Sequence, residues 1–327
     1  CWSLVGSEMC IRDRLLASSP RCYQSLQIES LHLVLLHINS ILIEHRNKIK
    51  FRERMRVLIS GANGYIGRHV TKLFVKNGLE VFTYDRNKSV IPQSGNFKEV
   101  RSDFEGYFDV IINCARPHWS EFSPDEIADI EHELLTQLDR FAAKNATKIH
   151  TSGVWLFGHA SHDDLKEFNF KPLEAVKLDV ETINYAIRME WNIVYCPSLV
   201  YGGDNCQLKR IIDSYFNRTV QVPVPSLGYN QYIHVYDVAR FYLTLAQDRS
   251  LETQHFIAET KGYSPAALAQ ILLDSKVVLK INECTWAEFE DVNGSASLDI
   301  EKLNLKLPIS PLFKPTEFVR EYIEKYM

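Results

Sequence analysis

A glycine-rich turn between a predicted strand and a predicted helix constrains this chain most. The apolar run Val57–Ser60 leads into the turn Gly61–Gly67, and a helical pattern then leads to a second apolar run that ends at Asp85. Glycines let the backbone approach a pyrophosphate closely, and the helix N-terminus offers it free N–H groups. An acid about 20 residues further on can accept from ribose hydroxyls. The sequence therefore predicts a dinucleotide-binding unit rather than an ordinary glycine turn.

The spacing of the glycines narrows the class. Gly61, Gly64 and Gly67 form GxxGxxG within the segment GANGYIG. This segment resembles the extended branch of the short-chain dehydrogenase/reductase superfamily, the NAD-dependent epimerase/dehydratase family. Downstream segments resemble further motifs of that family in the same order: TSGVWLFG at 151–158, PSLVYG at 197–202 and YIHVYDVA at 232–239. The resemblance covers nearly all of residues 55–327.

The order of the predicted elements indicates the fold class. Apolar strand patterns alternate with helical patterns up to about residue 200, which predicts an α/β, Rossmann-type fold with a doubly wound parallel sheet. The strand patterns lie at 57–60, 81–84, 108–115, 148–152 and 192–196, with a further short run near 98–101. Helices are expected from the Ser123-Pro124 cap to Asn145 and from Leu173 to Met189, and a polar loop is expected at 87–95. The resemblance implies a smaller C-terminal substrate lobe, from about 203–230 and 256–327.

The resemblance also implies which residues contact a bound dinucleotide. Within the glycine turn these are Gly61, Asn63, Gly64, Tyr65, Ile66 and Gly67. Asp85 would bind the adenosine ribose and favour NAD over NADP, although Arg86 beside it could pair with a 2′-phosphate. Asp103 would accept from the adenine amino group, with a solvated loop acid as the alternative. Phe104, the next residue, is a further candidate contact of the cofactor. The remaining implied contacts lie at two strand ends: Cys114, Ala115, Pro197 and Leu199.

The catalytic pattern of the family is altered in this sequence. The family carries a tyrosine four residues before a lysine on the helix after the fifth strand, and a serine or threonine at the end of that strand. The matching positions here read Leu173, Lys177 and Gly153. Lys177 is expected to bind the nicotinamide ribose, with a solvated helix lysine as the alternative. Thr151 and Ser152 are the hydroxyls nearest to the altered position, so these two and Lys177 are the catalytic candidates.

Two functions remain open from these residues. The first is an oxidoreductase, epimerase or dehydratase that acts on a nucleotide sugar or small carbonyl substrate through an unrecognised acid or base. Glu174 and Trp155 are considered as a replacement acid and a substrate wall. The second is a dinucleotide-binding sensor or scaffold with impaired catalysis. A homodimer is expected, because Ala175, Leu178 and Ala186 form a second apolar flank on the helix at 173–189.

Composition excludes several other classes. The net charge is −4 and no basic cluster appears beyond residue 55, which argues against nucleic-acid binding. The cysteines from residue 55 onward are scattered, so reduced thiols in the cytoplasm and no metal site are expected. Residues 1–54 resemble translated sequencing-adapter DNA at their start and are expected to be a non-native or disordered leader. Their apolar run at 31–43 is too short for a membrane span.

Overall fold

A seven-stranded sheet forms the centre of the described part of the chain. The computed structural model describes residues 55–94, 103–248 and 251–326, all within the unit Arg52–Met327. The expected leader at 1–54 and the apolar run near 98–101 lie outside these residues. The sheet strands are β1 (Arg56–Ser60), β2 (Glu80–Tyr84), β3 (Val90–Pro92), β4 (Phe108–Asn113), β5 (Ala142–Gly153), β6 (Asn192–Cys196) and β10 (Gln254–Phe256).

The strand order is that of a doubly wound fold. Across the sheet it runs β10-β6-β5-β4-β1-β2-β3, and every neighbouring pair except β2–β3 is parallel. The chain winds outward from β1 first in one direction and then, from β4, in the other. The point where the order reverses therefore lies between β1 and β4, which is where open α/β sheets bind ligands at the carboxyl ends of their strands. The predicted fold class is confirmed.

Helices cover the sheet and fill the remaining chain. They are α1 (Tyr65–Lys76), α2 (Pro124–Phe141), α3 (His162–Lys166), α4 (Asp179–Arg188), α5 (Gln207–Asp213), α6 (Val235–Gln247), α7 (Pro265–Asp274), α8 (Trp286–Asn293), α9 (Ser295–Lys302) and α10 (Val319–Tyr326). Short 3₁₀ turns lie at Val154–Phe157, Glu174–Val176 and Phe216–Arg218. Among these described helices, none is long and apolar enough to cross a bilayer.

The start of α2 follows from local sequence. Ser123 caps the helix by accepting from the Glu126 backbone N–H, the Glu126 carboxylate accepts in return from the Ser123 N–H, and Pro124 occupies the first turn. A proline costs nothing there because its missing N–H would have no partner within the helix. The end was wrong: α2 stops at Phe141 instead of Asn145, because the chain enters β5 at Ala142.

Two further expectations are corrected by the structure. Part of the expected polar loop at 87–95 is the edge strand β3, which pairs antiparallel with β2. It ends at Pro92, and an edge strand tolerates a proline because one side of its backbone needs no ladder partner. The expected continuous helix from Leu173 to Met189 is interrupted, because only a 3₁₀ turn and then α4 form within it.

The two faces of the sheet carry separate hydrophobic clusters. Alternating residues of each strand point to opposite faces, as a period of two requires. On one face, α1 and α6 pack over a cluster that includes Val57, Ile59 and Ile149. On the other face, α2 and α4 pack over a cluster that includes Leu58 and Ile193. Both faces are covered, which explains the nearly continuous apolar runs of the strands.

A third cluster lies in the C-terminal half. It contains two small parallel sheets, one of β7 (Leu199–Tyr201) with β9 (Tyr232–His234) and one of β8 (Thr219–Pro223) with β11 (Lys280–Cys284). Buried residues of both sheets, such as Tyr201 and Val222, share this cluster with Leu272 of α7 and Ile323 of α10. The lobe boundaries at about 203–230 and 256–327 stay a prediction.

Candidate active site

The first glycine of the turn lies against the end of β4. Gly61 has a left-handed φ of +71°, and a Cβ built on it would lie 2.5 Å from the Ala115 nitrogen and 2.5 Å from the Cys114 carbonyl carbon. Any side chain would therefore both strain the backbone and collide with the neighbouring strand. The structure thus brings the turn together with the strand end at Cys114 and Ala115, at the point where the strand order reverses.

The other glycines of the turn bring the helix N-terminus close. A Cβ built on Gly67 would lie 2.1 Å from the Gly61 carbonyl oxygen, so α1 packs directly on the turn. Gly64 is the N-cap of α1 and supplies no side-chain cap. The first N–H groups of α1 therefore have no capping side chain, which is the arrangement that binds a pyrophosphate in dinucleotide-binding folds. The residues of this turn therefore fit the pyrophosphate of a dinucleotide.

The side chains of the turn extend away from its backbone. Asn63 is exposed, and its carbonyl oxygen accepts from the Arg68 guanidinium at 2.8 Å. The Tyr65 hydroxyl donates to the Gly202 carbonyl oxygen at 2.6 Å, and Ile66 packs against the cluster under α1 and α6. These contacts hold the turn to the rest of the fold. The Gly64 N–H donates to the Gly61 carbonyl oxygen at 2.9 Å, so the first N–H groups of α1 are the ones left without a capping side chain.

Asp85 follows β2 and shapes its own loop. One carboxylate oxygen accepts from the backbone N–H groups of Asn87 and Ser89, at 3.0 and 2.9 Å. The other oxygen has no hydrogen bond among the described residues, and the side chain is half-buried. Arg86 beside it is exposed. A carboxylate fixed by one oxygen, with the other available, suits the two adjacent hydroxyls of a ribose.

The expected adenine contacts lie on the loop before β4. Asp103 is exposed and accepts from the Glu105 N–H at 2.9 Å, which is a local turn contact. The Phe104 ring stacks on Phe108 with centroids 5.7 Å apart, within an aromatic group that also contains Phe82. Phe104 therefore has a packing role of its own, and its contact with adenine stays a prediction.

A buried polar network fixes the end of β4. The Ser60 hydroxyl donates to the Asn113 side-chain oxygen at 2.6 Å, and the same oxygen accepts from the Ala115 N–H at 3.0 Å. The Asn113 amide nitrogen meets His150 Nδ1 at 3.1 Å. Burial lowers the pKa of His150 to about 3, so its ring stays neutral and accepts from the amide. Sequence reasoning missed this network, although an asparagine at the end of an apolar strand was a visible signal.

The two candidate hydroxyls lie on opposite faces of β5. Thr151 Oγ1 is 2.7 Å from the hydroxyl of Tyr242 in α6 and 3.5 Å from Cys114 Sγ. Ser152 alternates to the other face and is half-buried. Burial raises the pKa of the Cys114 thiol to about 12, so this thiol stays protonated. Thr151 is thus engaged with α6, whereas Ser152 faces the side on which Lys177 lies.

Leu173, which is predicted to replace the family tyrosine, is part of the core. Leu173 is buried and has an extended backbone, as the residue before the 3₁₀ turn Glu174–Val176. A Cβ built on Gly158 would lie 2.3 Å from a Leu173 methyl carbon, so the leucine side chain fills that space. Because the expected helix does not begin at Leu173, residues 173 and 177 do not share a helical face.

Lys177 lies on the surface. Its side chain is 64% exposed, and its ammonium group lies 3.8 Å from the Glu174 carboxylate. The surrounding segment packs through Leu173 and Val176 on the face of α2 and α4, whereas Thr151 contacts α6 on the opposite face. The structure therefore does not bring Lys177 and Thr151 together. The ribose contact of Lys177 stays a prediction.

The carboxyl ends of β5 and β6 are joined by an aromatic side chain. Trp155 Nε1 donates to Ser198 Oγ at 2.9 Å, directly after β6. Pro197 is buried, and Leu199 packs in the third cluster as part of β7. The exposed side chain of Trp119 stacks on Trp155. These residues border the same edge of the sheet as the glycine turn.

Sequence reasoning missed an ion cluster around Arg116, which follows β4. Arg116 contacts the carboxylates of Glu131 in α2 and Asp179 in α4, at 2.6 and 2.7 Å. Burial raises the pKa of Glu131 to about 7, with Arg116 opposing the shift. No periodicity in the sequence connects these three positions. Within the described ranges, no group of His, Cys, Asp and Glu side chains is arranged to hold a metal ion.

The fold and this site define a Rossmann-type dinucleotide-binding protein. A family model described as the NAD dependent epimerase/dehydratase family matches residues 57–257, more than half of the 327-residue chain. The chain belongs to this family, so the suspected family is confirmed and its cofactor is NAD or NADP. The small-molecule substrates of the family are nucleotide sugars.

Individual relatives are more distant. The chain is 25% identical over 174 residues to the CDP-abequose synthase of Yersinia pseudotuberculosis, a match that spans 49% of this chain and 60% of that protein. UDP-glucose 4-epimerase of Thermotoga maritima, solved with UDP-glucose, has a TM-score of 0.61 and 15% identity over 83% of this chain and 96% of its own. ADP-L-glycero-D-manno-heptose-6-epimerase of Helicobacter pylori gives 0.62 and 13% over 84% and 96%. These structures share the fold.

Proposed function

We propose that the protein binds NAD(P) and a nucleotide sugar, and that any proton transfer during turnover does not use the tyrosine of its family. The observation that carries the cofactor half is the close approach of Gly61 to the end of β4. Only glycine fits this position, because a side chain would collide with the strand end and the φ is left-handed. A backbone that binds a pyrophosphate closely requires such a glycine. The nucleotide-sugar half is supported by family membership and by the named relatives.

The chain's own residues have separable roles in this proposal. The turn Gly61–Gly67 would hold the pyrophosphate, and Asp85 would accept from the adenosine ribose, which favours NAD over NADP. Lys177 would have to leave Glu174 to reach the nicotinamide ribose, and a weak exposed ion pair permits that. Bound NAD(P) would supply the hydride acceptor or donor. Ser152 would orient a substrate oxygen.

Impaired catalysis is a second candidate that one observation favours. Leu173 replaces the phenol and is buried against Gly158, so no ionisable group occupies that position. General acid–base assistance is commonly worth ~10²–10⁴-fold in rate, so its loss would leave binding intact and turnover low. The protein would then serve as a dinucleotide-dependent sensor or scaffold.

Titration calorimetry and a turnover assay separate these functions. Tight binding of NAD or NADP by the full chain is expected, and absence of binding to both would contradict the cofactor half. Steady-state turnover is then measured over a panel of sugar nucleotides and aldehydes. Robust turnover with Leu173 intact would end the sensor interpretation and show that another group moves the proton.

We also propose a homodimer formed through the surface of α2 and α4. Leu178 and Ile130 are exposed large apolar residues there, and Ala175 is exposed as well. The expected flank is smaller than the sequence indicated, because Ala186 is buried in the cluster beneath α4. Light scattering at micromolar concentration tests the proposal, and a monomer mass would contradict it. We also propose a cytoplasmic location, because the cysteines from residue 55 onward are scattered, as is usual for reduced thiols in the cytoplasm.

A further inference from the structure

Two tryptophans form a stacked pair where three strand ends meet. Trp119 lies in the loop after β4, and Trp155 lies in the 3₁₀ turn after β5. Their ring centroids are 5.5 Å apart, and the ring planes are inclined by 26°. Trp155 is anchored to the segment after β6 by the hydrogen bond from its Nε1 to Ser198 Oγ at 2.9 Å. The pair therefore extends along the carboxyl edge of β4, β5 and β6.

The outer tryptophan presents its free face to solvent. Trp119 is 56% exposed, although one face of its ring lies on Trp155. Trp155 itself is only half-exposed and is held by Ser198, so it supplies a firm base for the outer ring. A large aromatic ring supported on one side and open on the other is a ready stacking surface for a flat ligand.

A hydrogen-bond donor lies beside this surface. The Ser120 backbone N–H donates to His118 Nδ1 at 3.2 Å, and Ser120 Oγ lies 2.6 Å from the same nitrogen. With Nδ1 acting as the acceptor, Nε2 is the donor nitrogen of the ring. Nε2 has no partner among the described residues. The His118 and Trp119 rings are nearly perpendicular, with centroids 6.1 Å apart. An apolar platform with a neighbouring N–H donor matches a ring that has one apolar face and hydroxyl groups around its rim.

The position of the pair assigns it to the substrate rather than to the cofactor. The turn at Gly61 and the acid at Asp85 place the adenosine half of a dinucleotide over β1 and β2. The other half then extends over β4 and β5. The anchor at Ser198 extends the tryptophan pair further, to the end of β6, which is the opposite side from Asp85. The molecule that lies beyond the nicotinamide end is the substrate.

We propose that the free face of Trp119 is the platform on which the hexose ring of a nucleotide sugar stacks, with His118 Nε2 donating to a ring hydroxyl. This assignment rests on the proposed function and adds to it the residue that selects the sugar. The C–H bonds of one pyranose face contact the indole, and the base and diphosphate bind elsewhere. Removal of the platform should therefore weaken binding of the sugar nucleotide, and not of the same nucleotide without its sugar.

Calorimetry with the full chain tests this assignment. UDP-glucose and CDP-glucose are the sugar nucleotides, and UDP, CDP and NAD are the controls without a hexose. Trp119→Ala should raise the Kd for whichever sugar nucleotide binds by about tenfold, and Trp119→Phe, which keeps a ring, by no more than about threefold. Leu251→Ala removes a fully exposed apolar side chain that lies outside the predicted substrate lobe, and it should change no Kd.

Each outcome is decisive. Equal weakening of UDP and UDP-glucose, or of CDP and CDP-glucose, by Trp119→Ala would overturn the hexose assignment in favour of a base-stacking site. Weakening of NAD alone would assign the platform to the nicotinamide and also overturn it. Unchanged sugar-nucleotide binding in Trp119→Ala would overturn the platform while the proposed function stands. If no sugar nucleotide binds the wild type, both the proposed function and the platform are wrong.

Discussion

The ion cluster of Arg116, Glu131 and Asp179 supports a quantitative prediction for Arg116→Met. The Glu131 and Asp179 side chains are 4% and 11% exposed, and both contact the single guanidinium of Arg116. Removing one partner of a buried ion pair commonly costs ~3–5 kcal/mol, because the other charge stays buried without compensation. Arg116 is itself 43% exposed, so solvent screens part of its contribution. We therefore expect the free energy of unfolding to fall by about 3 kcal/mol at pH 8.

The predicted loss depends on pH in a defined direction. Burial raises the pKa of both carboxyl groups, and Arg116 is the main opposing influence on each. Without Arg116 both pKa values should rise further, so the folded variant binds more protons than its unfolded chain in the range between the ordinary and the raised values. Stability of the variant relative to wild type then increases as pH falls. The loss should be largest at pH 8 and should shrink at pH 5.5.

Urea unfolding at both pH values measures this effect. Arg320→Met is the matched control, since Arg320 pairs with Glu324 at 2.9 Å on the surface with both side chains half-exposed. Exposed pairs are worth ~0–1 kcal/mol, so the control should lose less than about 1 kcal/mol at either pH. A loss below about 1 kcal/mol for Arg116→Met at pH 8, or an equal loss at both pH values, would refute the reasoning.

Three further variants address the site. Gly61→Ala should abolish NAD(P) binding in calorimetry and lower the melting temperature, whereas Gly78→Ala, at a similar φ of +77° but with no atom within 4 Å, should cost only ~1–2 kcal/mol. Asp85→Asn keeps an oxygen for the loop N–H groups but removes the charge, so the ratio of NADP to NAD affinity should rise. Leu173→Tyr should destabilise the fold by ~1–3 kcal/mol in urea unfolding and restore no turnover, because its ring must displace packing against Gly158. Normal stability together with restored turnover in Leu173→Tyr would contradict this last prediction.

Features fixed by short stretches of sequence were predictable. The turn Gly61–Gly67 carries its own steric requirement, so its conformation and the strand and helix on either side follow from adjacent residues. The start of α2 follows from a capping box four residues long, Ser123–Glu126, for the same reason. The strand β6, at Asn192–Cys196, was found with its observed bounds, since a buried parallel strand is an apolar run with clear ends.

Features that depend on distant contacts were not predictable. The apolar spacing at 173–189 fits a continuous helix, yet Leu173 donates its N–H to the Trp155 carbonyl oxygen at 2.9 Å and stays extended. That bond joins the segment to the 3₁₀ turn after β5, and no local pattern announces it. Arg116 meets Glu131 and Asp179 only because β4, α2 and α4 converge. The helix interruption in turn moved Lys177 away from its expected geometry.

The glycine turn matches the family pattern, whereas two of the predicted catalytic positions do not, and this difference has a physical reason. Cofactor binding in this fold depends on backbone geometry. That geometry is present here, because the strand end at Cys114 and Ala115 leaves no room for a side chain at Gly61. The predicted positions of the family's tyrosine and of its serine or threonine hold Leu173 and Gly153, whose side chains cannot exchange a proton, whereas the predicted lysine position keeps Lys177. Leu173 is moreover integrated into the core rather than left in an open site. We therefore expect such a chain to retain the dinucleotide, and we expect any proton transfer to come from a group other than Leu173 and Gly153.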